Sequence, residues 1–123
     1  MPREREVSTR LIRPTNPFID QSQLLLFVDR WNPSWEIDGS IKIFDEGIAQ
    51  YMLADLESHY KYFASLILGK PSLRCQMVGD EPADDLDENG NKFELISQGE
   101  LNSEDVQRIE LLKMVLSKRG YRF

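Results

Sequence analysis

This chain of 123 residues nearly lacks two residue types, with one cysteine, Cys75, and one histidine, His59. A lone thiol forms no internal disulfide, and one thiol with one imidazole cannot supply the Cys/His sets of ordinary zinc sites. A reducing, cytoplasmic setting with no cofactor is the resulting expectation. Long apolar runs are missing too. The longest, Leu24 to Val28, is far short of the roughly 18 residues that cross a bilayer, so no membrane insertion is expected. The N-terminal MPREREVSTR has no apolar stretch after its charges and does not read as a secretory signal. Basic residues are also in deficit, 15 against 21 acidic ones, for a net charge of −6. That balance argues against direct nucleic-acid binding, which draws its affinity from clustered Lys and Arg.

What is present is ordinary globular material. Hydrophobic residues make up 41% of the chain, and a chain of this length buries about two thirds of its unfolded surface without staples. The charge is unevenly spread. Arg3, Arg5, Arg10 and Arg13 lie near one end and Lys113, Lys118, Arg119 and Arg122 near the other, whereas residues 80–110 are mostly acidic.

The strongest helical signal runs from Asp45 to Lys70. Ile48, Met52, Leu56, Tyr60 and Phe63 recur at intervals of three and four, Asp45 is a candidate cap, and Gly69 and Pro71 end the period. A helix from Glu46 to Leu68 would be roughly 34 Å long, and everything else would pack along it. Before it, residues 1–20 carry Pro2, Pro14 and Pro17 and no sustained period. They read as an extended arm, with Val7 to Ile12 as an edge strand, ahead of a single domain over 21–123. Gln21 to Trp31 fits two readings: its short apolar run favours a buried strand, the preferred reading, whereas Asp20 as a cap favours a helix. Trp35 to Phe44 alternates around Asp38-Gly39 and predicts a hairpin with a two-residue turn.

Beyond the long helix, Ser72 to Val78 alternates with Cys75 pointing inward, and Lys92 to Ser97 alternates again. These two are expected to pair antiparallel across the acidic connection. A second helix follows, capped by Asn102 or Ser103 and stopped at Gly120, with Val106, Ile109, Leu112, Val115 and Leu116 in its stripe. The fold class is therefore α+β. The expected architecture is an antiparallel sheet of four or five strands with two amphipathic helices on one face, in the order β-β-β-α-β-β-α.

Chemistry is sparsely indicated. Asp85-Leu86-Asp87-Glu88-Asn89-Gly90 resembles the first half of an EF-hand calcium loop, D-x-D-x-N-G. The twelfth position of such a loop needs a bidentate Glu, and here it is Ile96. Asp85, Asp87 and Asn89 therefore make at most a weak calcium site, and a soluble turn at Asn89-Gly90 explains the run without metal. His59 sits in mid-helix with Asp55 four residues before it and Tyr62 three after. The three could rim a ligand pocket, or His59 could simply pair with Asp55. There is no phosphate loop, nucleophile elbow or HExxH pattern.

Aromatics say more. Trp31 and Trp35 bracket a short turn, and the tyrosines of the long helix lie on more than one of its faces, so at least one exposed aromatic patch is expected near Trp31 and Trp35 or around Tyr62. With no catalytic constellation, the leading expectation is a non-enzymatic interaction or adaptor module. It would bind another protein, or itself as a homodimer, through Trp31, Trp35, Tyr62 and the acidic residues Asp84, Asp85, Asp87 and Glu88. Two alternatives stand beside it. One is a small enzyme or ligand-binding protein with Asp55, His59 and Tyr62 at its pocket; the other is an acidic mimic of nucleic acid that inhibits a DNA-binding protein.

Overall fold

The computed structural model describes residues 3–47, 50–79, 92–97 and 99–123. Among these the chain is mixed α+β, with three α-helices, a five-stranded sheet and a separate two-stranded one. In chain order the elements are β1 (Arg3–Ser8), a 3-10 turn (Thr9–Leu11), β2 (Ile12–Arg13), β3 (Phe18–Asp20), α1 (Gln21–Asp29), a second 3-10 turn (Pro33–Glu36) and β4 (Ile41–Gly47). They continue with β5 (Gln50–Leu53), α2 (Leu56–Ile67), β6 (Ser72–Val78), β7 (Glu94–Ile96) and α3 (Ser103–Lys118).

The main sheet runs β1-β6-β4-β5-β2, and it is mixed rather than antiparallel. β1 meets β6 and β4 meets β5 in antiparallel fashion, while β4 with β6 and β2 with β5 are parallel. β4 and β6 run parallel because two reversals separate them: β5 turns back along β4, and the connection through α2 restores the original direction. β7 does not pair with β6 as expected. It lies parallel to β3, with Ile19 opposite Leu95, and forms the small second sheet.

Alternation is clear in the central strands. Ile41 and Ile43 of β4 and Leu73 and Cys75 of β6 are buried, whereas Lys42 and Arg74 face solvent. Tyr51, Met52 and Leu53 are buried in succession, so β5 is covered on both faces.

Helix α2 packs on β4 and β5 and is flanked by α1 and α3. Its twelve residues span roughly 18 Å, about half the length the periodicity predicts. The reason lies at its start. Ile48 and Met52 share a helical spacing with Leu56, but Gln50–Leu53 pairs antiparallel with β4, with a bulge at Asp45/Gly47, and its consecutive Tyr51, Met52 and Leu53 suit a strand covered on both faces. The cap is Asp55, whose Oδ1 accepts the Ser58 N–H at 2.7 Å. Gly69, at φ +76°, ends the helix as expected.

Two further expectations are corrected. Residues 21–29 form α1, because Asp20 Oδ1 accepts the N–H groups of Ser22 and Gln23 at 3.0 and 3.2 Å, and Leu24, Leu25 and Val28 make a helical stripe. The turn at Asp38-Gly39 exists, with Gly39 at φ +71° and Asp38 Oδ1 accepting the Ser40 N–H at 2.8 Å. It joins the 3-10 turn to β4 rather than two strands, so Trp35 belongs to no hairpin. The hairpin is formed by β4 and β5.

The first twenty residues do more than lie over the body. β1 is an edge strand of the main sheet, β2 extends its far side and β3 seeds the second sheet. Val7, Ile12 and Ile19 are part of the core.

The placement of the cap separates the two helix boundaries experimentally. Asp55→Ala should cost about 1 kcal/mol of stability in urea unfolding, the usual value of an N-cap. Asp45→Ala, in an exposed bulge, should cost no more than a few tenths; the reverse ranking would place the helix start at Asp45.

Candidate functional site

Every residue of α2 from Ser58 to Ile67 is buried, including the polar ones. Each polar side chain must then find a partner inside the protein. Ser58 Oγ accepts the Lys42 N–H of β4 at 2.8 Å. Tyr60 Oη accepts the Asp20 N–H at 3.2 Å. Ser65 Oγ donates to the Tyr62 carbonyl at 2.6 Å, and Lys61 Nζ lies 3.1 Å from Glu57 Oε1 and 4.9 Å above the Trp35 ring.

His59 is the most fully committed of these. Its Nδ1 faces the Asp55 carbonyl at 2.7 Å, and its Nε2 accepts the backbone N–H groups of Thr15 at 2.8 Å and Asn16 at 3.1 Å. Two backbone donors on Nε2 require a lone pair there, so the ring is neutral with its proton on Nδ1. His59 thus meets Asp55 through its main chain, while the Asp55 carboxylate caps the helix. The same Thr15 sends its hydroxyl to the Leu53 carbonyl at 2.9 Å. Here the imidazole works as a clasp on the chain between β2 and β3.

Tyr62 was expected at a surface patch or pocket rim, and this is corrected: it is fully buried. Its hydroxyl donates toward the carbonyls of Thr9 and Ile12 at 3.3 and 3.2 Å and accepts from Arg119 Nη1 at 3.1 Å. Arg119 also reaches the Thr9 carbonyl and Oγ1 at 3.1 and 3.2 Å, which binds the end of α3 to the first 3-10 turn. Burial pushes the Tyr62 hydroxyl up to about 12, against the opposing pull of Arg119. Among the described residues Asp55, His59 and Tyr62 therefore make their hydrogen bonds to different parts of the chain: Asp55 to its own helix, His59 to Asp55 and to Thr15 and Asn16, and Tyr62 to Thr9, Ile12 and Arg119.

Trp31 and Trp35 do come together. Their rings meet edge to face at 5.2 Å, Trp35 lies 5.7 Å from Phe27, and Phe27 stacks on Tyr60 at 5.6 Å. Trp31 Nε1 donates to Glu36 Oε2 at 3.1 Å. Both tryptophans are half-buried, so the cluster has a packed side and an open side. The open side is a groove of about 280 Å³ lined by Gln23, Leu26, Phe27, Arg30, Trp35 and Glu57. Gln23, Leu26, Phe27 and Arg30 follow helical spacing along one face of α1, and Leu26 is 44% exposed. Reading residues 21–31 as a strand is what hid this face in the sequence.

The expected acidic contacts Asp84, Asp85, Asp87 and Glu88, and Asn89 of the weak calcium site, lie outside the described residues. Among the described residues no three His, Cys, Asp or Glu side chains cluster closely enough to hold a metal ion. Among the same residues no helix is long and apolar enough to cross a membrane. Cys75 is buried in β6, and burial raises its thiol to about 12, far from the thiolate a nucleophile needs.

No family model matches the chain, and no curated protein matches it. Among solved structures it is similar to protein Atu1540 from Agrobacterium tumefaciens, with a TM-score of 0.53 at 14% identity, all of this chain aligning with 51% of that one. The chain thus spans about half the length of that protein. At this identity the likeness concerns the fold alone.

The two raised groups set an alkaline limit. Unfolding returns Cys75 and Tyr62 toward their ordinary values of 9.0 and 10.0, so the unfolded chain loses these protons first. The stability they confer is fully present below about pH 9 and is lost as pH rises through 9 to 12. Urea midpoints measured across that range should fall, and Tyr62→Phe should flatten the part above pH 10. An equally steep fall in the variant would contradict the assignment.

Proposed function

We propose that this chain is a non-enzymatic interaction module that holds a partner protein at the groove between α1 and the Pro33–Glu36 turn. The observation that carries this reading is the partly open aromatic cluster of Phe27, Trp31 and Trp35 with Leu26 on its rim. Aromatic rings held by their neighbours lose little entropy on binding, and half-buried rings beside an exposed aliphatic side chain are typical interface anchors. Lys61 lies against the Trp35 ring and is itself paired with Glu57, so the groove floor is preset.

The ends of the groove give it polarity. Arg30 and Glu57 flank the apolar floor, which suits a segment whose apolar side chain is bordered by one acidic and one basic residue. We assign the acidic segment with Asp84, Asp85, Asp87 and Glu88 as a second contact, favouring a partner with basic residues. Binding in the cytoplasm, by another protein rather than by nucleic acid, completes the reading, and a second copy of this chain is one form the partner can take.

Comparative affinity capture tests it. A partner held by the wild type and by the control Met114→Asp, on the exposed side of α3, should fall at least about tenfold with Leu26→Asp, the scale of a hot-spot residue. Sedimentation of the same three proteins covers the homodimer, which Leu26→Asp should dissociate. Unchanged capture and unchanged sedimentation in Leu26→Asp would overturn the proposal.

A further inference from the structure

Four of the basic residues near the two ends of the sequence, Arg10, Arg13, Lys118 and Arg119, converge in space. Arg10 and Arg119 together line three adjoining concavities, of about 160, 530 and 540 Å³. The smallest is bounded by Arg10, Arg13, Gln50, Arg119 and Tyr121, and the largest adds Lys118. In a chain of net charge −6, this is a concentration of like charge that folding brings together from opposite ends.

Part of that charge has a structural use. Lys118 and Arg119 stand at the C-terminal end of α3, where cations complement the helix dipole. Arg13 pairs with Glu46, the carboxylate that borders this region. Arg10 is different: it sits in the 3-10 turn, is exposed, and its guanidinium has no hydrogen bond or ion pair among the described residues. Arg119 is held in place by Thr9 and Tyr62 through both Nη1 hydrogens and one Nη2 hydrogen. Its Nε–H and second Nη2–H have no acceptor among the described residues.

We propose that this concavity binds a small multivalent oxyanion, a phosphate-bearing or polycarboxylate molecule, between Arg10 and the fixed guanidinium of Arg119. A planar guanidinium held by its own hydrogen bonds offers two parallel donors without loss of rotamer freedom, the geometry that phosphate and carboxylate groups accept. Arg10 closes on the anion from the turn. Lys118 adds charge from α3. The site is separate from the aromatic groove and stands or falls without it.

The test is a titration of isotope-labelled protein with pyrophosphate and with citrate at low ionic strength, in a buffer free of other multivalent anions. Saturable amide shifts confined to residues 10–13 and 118–121 are expected, and the tighter of the two probes tells phosphate from carboxylate. Because the Arg10 side chain has no partner to lose among the described residues, Arg10→Gln should leave the rest of the spectrum unchanged while weakening binding roughly tenfold, the scale of a charge-assisted hydrogen bond. Lys118→Gln should weaken it less. Shifts that grow linearly without saturating, that spread over the surface, or that persist at wild-type affinity in Arg10→Gln would overturn the proposal.

Discussion

A helix buried on every side has no solvent to satisfy its polar side chains, and α2 carries Ser58, His59, Tyr60, Lys61, Tyr62 and Ser65 in succession through such a place. Each unmet group would cost about 1–3 kcal/mol, so the chain around α2 must supply acceptors and donors where the helix needs them. It does so with backbone. Thr9, Ile12, Thr15, Asn16 and Asp20 all give main-chain groups to side chains of this helix. That is why a segment with two of its prolines at Pro14 and Pro17 runs across the protein in a fixed path although its elements are only two or three residues long.

This constraint also sorts the candidates for function. The only imidazole and the most buried tyrosine hydroxyl are committed to the fold, so the acid/base and ligand-rim readings lose their principal residues. What stays open lies outside the helix. Leu26 and Trp35 border one groove, and Arg10 with Arg119 border a basic concavity on a different part of the surface. Arg119 joins the two themes, because the bonds that satisfy Tyr62 also fix the guanidinium that faces the concavity.

Much of the frame was legible in the sequence. The helical stripe from Leu56 onward, the inward Cys75, the alternating Ser72–Val78 and the cap at Asn102, whose Oδ1 accepts the Asp105 N–H at 2.8 Å, follow from local pattern and end chemistry. Residues 45–53 did not, because Ile48, Met52 and Leu56 satisfy a helical period, whereas the consecutive apolar Tyr51, Met52 and Leu53 belong to a strand covered on both faces, and only pairing across the sheet decides between them. Asp20 carried the signal for α1, outweighed by the shortness of the apolar run. The parallel partner of β7 was out of reach, since Phe18–Asp20 is only three residues long and its pairing depends on where α2 pins Asp20. Sequence distance likewise hid the basic concavity: Arg10 and Arg119 are 109 positions apart, and only the Thr9 and Tyr62 contacts bring them together.

Native-state hydrogen exchange of the Thr15, Asn16 and Asp20 amides tests the clasp most directly, because these N–H groups bond to α2 side chains rather than to a neighbouring strand. The account predicts that they exchange only through global unfolding, with the same opening free energy as the Ile43 amide in the central strand. Exchange through low-energy local opening, as in an ordinary loop, would contradict it.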